Sequence, residues 1–460
     1  MSSPPTPEGP AFLSKFSFLP LLQRAAAAQP SVQVTYGQTV VGMEHDDDGV
    51  AVLVEDLESG SIRALRTAYL VGCDGGRSWV RKRLGIEFVG DFAQGRNFAV
   101  HFRAPALMEL LREHADGVAA QIQTLANESR PYITVVDGAD EWRLSVYLDR
   151  DPSPEDAVRW VHAAIGKEID VQILRSQPWS GHRVVAERYR DGRVFLAGDA
   201  AHLLWPKGGF GANTGIGDAV DLGWKLAAVL SGWGGEALLN SYEVERRPIA
   251  VRNVSEASSN WTSDAKITPD PILDSDNADG AAARTRMGAL IRSLRGREFR
   301  SIGVQLGHRY RNSPIVVPDG GLEPPDESDN YVPSTWPGCR APHVWLPDGS
   351  SVLDRFGHGF VLIATADATG TTAGIQKLEQ AATVRGVPLE AFPCGDAQLH
   401  EIYGNGLVLV RPDGHVCWRG DALPEDPGAL LDVVRGARGH GAEVLETPSA
   451  GRSETALTRR

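Results

Sequence analysis

Apolar residues recur at every second position early in the chain. The runs are Val32-Gln33-Val34-Thr35, Thr39-Val40-Val41-Gly42-Met43 and Val50-Ala51-Val52-Leu53-Val54. Such alternation predicts strands with one covered face. Asp46-Asp47-Asp48-Gly49 supplies a turn between the last two, so the expectation is a β-meander, with Ser61 to Thr67 as a further strand. Ahead of it the first sixteen or so residues read as a loose leader, and Leu19 to Ala28 as an Ala-rich helix stopped by Pro30. Ala68-Tyr69-Leu70-Val71-Gly72 and Val194-Phe195-Leu196-Ala197 are unbroken apolar runs, the pattern of buried parallel strands. After the second run, Gly198-Asp199 turns the chain and a loop follows, Gly208-Gly209-Phe210-Gly211-Ala212-Asn213-Thr214-Gly215. Ile216, Ala219, Val220, Gly223, Leu226, Ala227 and Leu230 then recur at helical spacing.

Between these runs the pattern changes. Asn97 to Phe102 and Glu141 to Leu148 alternate like strands. Pro154 to Ile165 predicts a helix with Ser153 as N-cap and Pro154 as its first residue. Glu187 to Arg193 leads back to the strand at Val194. Ser241-Tyr242-Glu243-Val244-Glu245-Arg246-Arg247-Pro248 carries charged pairs at helical spacing and a Pro that bends or restarts the helix. Residues from about Asn253 to Gln305 read as helical with breaks, and Pro314 to Pro337, rich in Pro, Asp and Glu, as a linker. Beyond it, Phe360 to Ala364 predicts a buried strand. Leu407 to Gly420 predicts a hairpin about Arg411-Pro412-Asp413-Gly414. The last fifteen residues read as a disordered tail.

Composition narrows the function classes. The 460 residues are 42% hydrophobic and 23% charged, enough apolar material for two or three cores. The formal charge of −13 argues against nucleic-acid and anionic-membrane partners. No apolar run approaches the roughly 20 residues that span a bilayer, and the start lacks a signal-peptide pattern. Cys73, Cys339, Cys394 and Cys417 are scattered, without a C-x-x-C pair, so neither a disulfide frame nor a metal site is expected. A cytoplasmic protein is the expectation.

The strand, glycine loop and helix start at Val194 to Leu230 together make a cradle for an anion or cofactor. Backbone N–H groups point outward there and the helix dipole favours negative charge. This segment resembles the second flavin-binding motif of the class A FAD-dependent aromatic hydroxylases. The resemblance implies that Asp199 holds the ribityl chain, with Gly198 before it among the cofactor-binding residues. It also implies that Pro206, Gly208, Gly209 and Gly211 lie against the isoalloxazine, and that Ala212, Asn213 and Thr214 face its pyrimidine edge. The family often has Pro-Pro before the glycines, whereas Trp205-Pro206-Lys207 stands here. Trp205 either closes the flavin pocket or is a packed loop aromatic. His202 would prop the loop. Asp74-Gly75-Gly76-Arg77-Ser78-Trp79-Val80-Arg81 is similar to the family's Asp-Gly fingerprint, which implies that Asp74, Gly75 and Arg81 serve the flavin diphosphate side and NAD(P)H. Read without the resemblance, the same residues are a turn, an N-cap Ser78 and a solvated basic helix face.

The fold expected is therefore α/β with an α+β insert: a flavin monooxygenase fold with an incomplete Rossmann-like FAD-binding domain. Its first part would be residues 1–90 and its second 186–313, with a β-sheet substrate domain at 91–185 between them. A linker at 314–337 would lead to a thioredoxin-like C-terminal domain at 338–445, and a tail at 446–460 would follow. No Cys pair follows the Phe360 strand, so that last domain would be redox-inert, used for packing or contacts in a homodimer. The Gly-x-Gly-x-x-Gly turn that should open a Rossmann-like unit does not precede the meander. A wrong or internal start, a truncated product or a second chain would each account for that. The resemblance implies an enzyme using FAD, NAD(P)H and O2 to hydroxylate a phenolic or polycyclic aromatic substrate through a flavin C4a-hydroperoxide. The alternative is a non-catalytic remnant that binds an aromatic or polyketide ligand. The catalytic base is unknown; His101, Tyr132, Tyr147 and His202 are candidates by location only.

Overall fold

The computed structural model describes residues 4–93, 95–114, 120–126, 130–148, 154–365, 372–404 and 406–438. The chain divides into two units. One is formed by Glu8–Ala219 with Arg247–Ser301, the other chiefly by Val220–Arg246 and the chain from Ile302.

The first unit opens with the helix Lys15–Ala27, which begins earlier than its Ala-rich pattern suggests because Ser14 caps it at Phe16 N. The meander follows as Gln38–His45, Val50–Asp56 and Ile62–Thr67, all antiparallel. Asp46 closes the expected turn by accepting from Asp48 N and Gly49 N, both at 2.9 Å. One expectation fails: Val32 to Thr35 is not a strand. Val32 and Val34 stay exposed, so alternation alone found no second surface to cover it. Farther on, Leu70–Gly72 pairs in parallel with Val194–Leu196, and Arg190–Asp191 flanks the latter. The buried strand Val194–Leu196 delivers the chain to Gly198.

A five-stranded antiparallel sheet lies between these two strands in sequence. Its order is Gln172–Ser180, Arg96–Arg103, Glu141–Leu148, Tyr132–Val135 and Gln121–Gln123. Alternation divides its side chains. Phe98, Val100, Phe102, Leu144 and Val146 join Leu107, Trp160 and Val161 of two helices in one apolar core. Each large side chain so covered contributes about 2 kcal/mol. By register, Asn97, Tyr132, Ser145, Tyr147 and Trp179 share the opposite face. The helix Pro154–Ile165 starts on Pro154 as expected; Ser153 and the C-terminal tail lie outside the described residues. The helix Glu236–Ala265 runs through Pro248 without a restart.

In the second unit the sheet order is Leu389–Cys394, Phe360–Thr365, Leu407–Val410 and Val416–Gly420. The first pair is parallel and the others are antiparallel. Together with the helices Thr372–Val384, Ala397–Tyr403 and Pro427–Val434 this is the thioredoxin-like arrangement. Phe360, Leu362, Leu407 and Leu409 fill one core and Val361, Ile363, Val408 and Val410 the other, which explains the unbroken apolar strands. The hairpin about Arg411 to Gly414 forms as expected. Residues 314–337 carry no helix or strand, yet Ile315 and Val317 are buried and Val317 N donates to Cys417 O at 2.8 Å. Among the described residues no helix is long and apolar enough to cross a membrane.

Candidate cofactor and substrate site

The cradle rests on one close approach. Gly198 turns the chain at φ 61°, and a Cβ on Gly215 would stand 3.2 Å from Gly198 Cα. The turn therefore sits directly against the first coils of the helix Phe210–Leu230. Asp218 fixes this geometry: its Oδ2 accepts from Gly198 N at 3.0 Å and bonds His202 Nε2 at 2.8 Å. His202 and Asp218 are wholly buried, so His202 is a brace of the loop rather than a group open to a ligand.

The predicted contacts of the cradle divide by exposure. Asp199, Pro206, Gly209, Ala212 and Asn213 are exposed, and Gly198, Gly208 and Gly211 are half-buried. Gly209 has φ 73° with open space where a Cβ would point, so the loop surface is bare backbone. Asn213 Nδ2 donates to Gly209 O at 2.8 Å and holds the loop over the helix start. Thr214 is buried; its Oγ1 donates to Phe210 O and accepts from Asn253 Nδ2. The first turn of this 21-residue helix has no acidic side chain to satisfy its N–H groups. Bare backbone, an open helix start and the exposed Asp199 carboxylate fit a flat, anionic cofactor ring and its hydroxylated chain.

The other fingerprint is more occupied with itself. Asp74 accepts from Ser78 Oγ at 2.5 Å, Trp79 N at 2.7 Å and Val80 N at 3.0 Å, while Ser78 Oγ caps Arg81 N at 2.9 Å. Gly75 completes the turn by accepting from Ser78 N. Arg81 is buried: its Nη1 donates to Ala200 O at 3.1 Å and its guanidinium lies 3.6 Å from the Phe88 ring centroid. In this structure Arg81 ties the two fingerprints together through the backbone beside Asp199.

Next to the glycine loop stands a buried cluster of aromatic and charged side chains. Trp205 is buried, stacked on Trp261 at 4.5 Å and edge-on to Trp179 at 6.1 Å. Lys207 Nζ bonds Asp264 Oδ2 at 3.1 Å and lies 5.5 Å from the Tyr132 ring centroid. Arg130 and Arg295 each reach Asp264 at 3.4 Å, and Arg295 Nη2 bonds Glu298 at 3.1 Å. Glu298 accepts from Gly208 N at 3.2 Å, which joins this cluster to the cradle. Arg130 also donates to Asp264 O and Ile267 O at the end of the helix Glu236–Ala265, where a cation suits the dipole. Burial, with the Asp264 charge, pushes the Tyr147 phenol up, so it stays a neutral hydroxyl at pH 7. Tyr147 is therefore a donor and not a base. His101 bonds Glu141 at 3.1 Å and stacks on Phe16.

Residues 4–257 match the FAD binding domain family and residues 334–439 the aromatic-ring hydroxylase C-terminal family. The chain belongs to the class A FAD-dependent aromatic hydroxylases. It is 32% identical to an FAD-dependent monooxygenase of Emericella nidulans over 95% of this chain and 73% of that protein. Among solved structures it is similar to the rebeccamycin biosynthetic enzyme RebC with reduced flavin: TM-score 0.78, 41% identity, covering 87% of this chain and 74% of that one. It is also similar to aklavinone-11 hydroxylase in complex with FAD and aklavinone: TM-score 0.76, 29% identity, covering 94% and 80%. The flavin monooxygenase fold expected from the sequence is thus the fold observed.

The motifs of the sequence located the cradle but not the buried charge cluster beside it. Asp264, Arg295 and Glu298 lie in helices whose sequences read as ordinary charged surface, and Arg130 precedes a strand of four residues. Lys207 alone left a signal, as a cation inside the glycine motif.

Proposed function

We propose that this protein is a cytoplasmic monooxygenase that uses FAD, NAD(P)H and O2 to hydroxylate a phenolic or polycyclic aromatic substrate. The observation that carries the reading is the Gly198–Gly215 crossing, which sets exposed Asp199 and the open start of the helix Phe210–Leu230 on one surface. Asp199 would hold the ribityl hydroxyls. The Gly208, Gly209 and Gly211 backbone would lie under the ring, and the Ala212, Asn213 and Thr214 helix start would face its anionic edge. Asp74, Gly75 and Arg81 would support the diphosphate side. Bound FAD, reduced by NAD(P)H, supplies the activation of O2 for transfer of one oxygen atom to the ring.

The chain's own residues then position and shield. Trp205, Trp261 and Trp179 offer apolar ring faces and exclude water from a flat substrate. Tyr147 keeps its proton and donates a hydrogen bond to an oxygen of the substrate. The deciding experiment is the visible spectrum of the purified chain after FAD is added and the excess is desalted away. Retained flavin in the wild type, with clear loss in Asp199→Ala, is expected. A colourless wild type would favour a non-catalytic aromatic-binding protein instead. Stoichiometric flavin in Asp199→Ala would remove Asp199 from the site.

A further inference from the structure

A buried carboxylate lies beneath the surface that presents Asp199. Asp218 is wholly buried, and its Oδ2 accepts from Gly198 N at 3.0 Å, one residue before Asp199. Gly198 follows the strand Val194–Leu196, and Ala197 N donates to Gly72 O at the end of the parallel neighbour Leu70–Gly72. Asp199 and Cys73 therefore stand just past the carboxyl ends of adjacent parallel strands, the edge at which such sheets bind ligands. Both residues are exposed there. Asp218 places its charge under that edge without being part of its surface.

The hydrogen bonds also fix the sign of that charge. Asp218 Oδ2 bonds His202 Nε2 at 2.8 Å, and the His202 ring is wholly buried. Among the described residues His202 Nδ1 has no hydrogen-bond partner. A doubly protonated ring would bury an unmet N–H at that atom. The neutral ring with its hydrogen on Nε2 fits, so the pair keeps the negative charge of the carboxylate. That charge is felt at the edge itself. Burial, then the Asp218 and Asp74 carboxylates, pushes the Cys73 thiol up. A charge closed off from water acts over such a span because little solvent screens it.

We propose that Asp218 is a positioning residue with an electrostatic role: it holds the Gly198 turn and, through its buried negative charge, lowers the reduction potential of the flavin held by Asp199 and the glycine loop. This rests on the FAD reading for what the edge holds, but its test does not depend on turnover. Two electrons and one proton turn the neutral flavin ring into its reduced anion, and a fixed negative charge beneath the site disfavours that anion. The open start of the helix Phe210–Leu230 pulls the other way. Asp218 therefore sets the balance between the two.

The full chain is loaded with FAD and its midpoint potential is measured against a reference dye during slow reduction. Asp218→Asn keeps the shape and an acceptor for Gly198 N while removing the charge. It is expected to raise the ratio of reduced to oxidised flavin about tenfold at a given potential, a shift of about 30 mV for two electrons. His202→Gln disturbs the same loop without changing its charge and leaves the potential where it was. An unmoved or lower potential in Asp218→Asn overturns the proposal. So does a fall in His202→Gln, which would mean that the ring cancels the carboxylate. A second readout needs no cofactor. In the flavin-free chain at about pH 8.5, the ordinary cysteine value, Cys73 should react with a thiol reagent about threefold faster in Asp218→Asn than in wild type, because losing the charge frees the thiolate. Equal rates overturn the proposal. If Asp218→Asn does not fold, wild-type Cys73 decides, and a thiol that titrates at or below the ordinary value would show that no negative charge reaches the edge. A wild type without flavin but with faster Cys73 labelling in Asp218→Asn would sink the FAD reading and support the buried charge. Retained flavin with an unmoved potential and equal labelling would do the reverse.

Discussion

Glu245→Gln probes a second charge cluster, in the unit that carries the thioredoxin-like domain. Glu245 is buried, and its carboxylate accepts from Arg411 Nη1 at 2.6 Å and Nη2 at 3.0 Å, from Lys225 Nζ at 2.5 Å, and from Ser313 Oγ. Arg411 is wholly buried as well and also bonds Asp221 and Asp413. Burial alone would raise the Glu245 pKa, but Arg411 and Lys225 outweigh it and hold the carboxyl at about 2, against 4.5 for a free glutamate. That difference corresponds to about 3 kcal/mol. Removing one partner of a buried pair costs about 3–5 kcal/mol, so the two routes to the magnitude agree. Because the folded-state pKa is depressed, the unfolded chain binds the proton first. The contribution is present in full above pH 4.5 and is lost as pH falls towards 2.

Urea denaturation at a series of pH values reads this directly. At pH 7 Glu245→Gln is expected to lose about 3–5 kcal/mol. Gln does not titrate, so the gap between wild type and variant reports Glu245 together with the change its lost charge makes at Asp221. It should narrow by about 1.4 kcal/mol for each pH unit below the glutamate's free value. A variant within about 1 kcal/mol of wild type, the range of a surface ion pair, would refute the reasoning. So would a gap that does not move with pH.

Further outcomes can be checked by similar means. Burial, with the Glu245 and Asp413 charges, pushes the Asp221 carboxyl well above the usual range, so Asp221→Asn should cost less than Glu245→Gln in the same urea assay. Gly181→Ala would bring a Cβ within 2.3 Å of the Trp205 ring. Overpacking of this kind costs about 1–3 kcal/mol, and a melting curve unchanged from wild type would mean Trp205 is not fixed by that contact. A thiol reagent applied to the native protein should label exposed Cys73 and spare buried Cys339 and Cys417. Burial pushes the Cys339 thiol up to about 11 and the Cys417 thiol higher still. Rapid labelling of Cys417 would contradict the packing of that strand.

The sequence by itself determined the elements whose signals are local. Period-two alternation located the meander from Gln38 to Thr67, and unbroken apolar runs located the strands at Val194, Phe360 and Leu407. The glycine motif after Val194 located the cradle, because only bare backbone can turn at Gly198 and lie against Gly215. Where covering a face needed a distant partner, local pattern misled: Val32 to Thr35 alternates like a strand, yet among the described residues no strand pairs with it and Val32 and Val34 stay exposed. Tertiary structure alone decided the charge cluster beside the cradle. Lys207, Asp264, Arg130 and Arg295 come from separate stretches of chain, and each looks like a solvated charge until folding removes the water around it. The same holds for Glu245 and Arg411, 166 positions apart in sequence and bonded at 2.6 Å. A charge's meaning depends on what surrounds it in space, and that is a property of the packed fold rather than of the neighbouring residues.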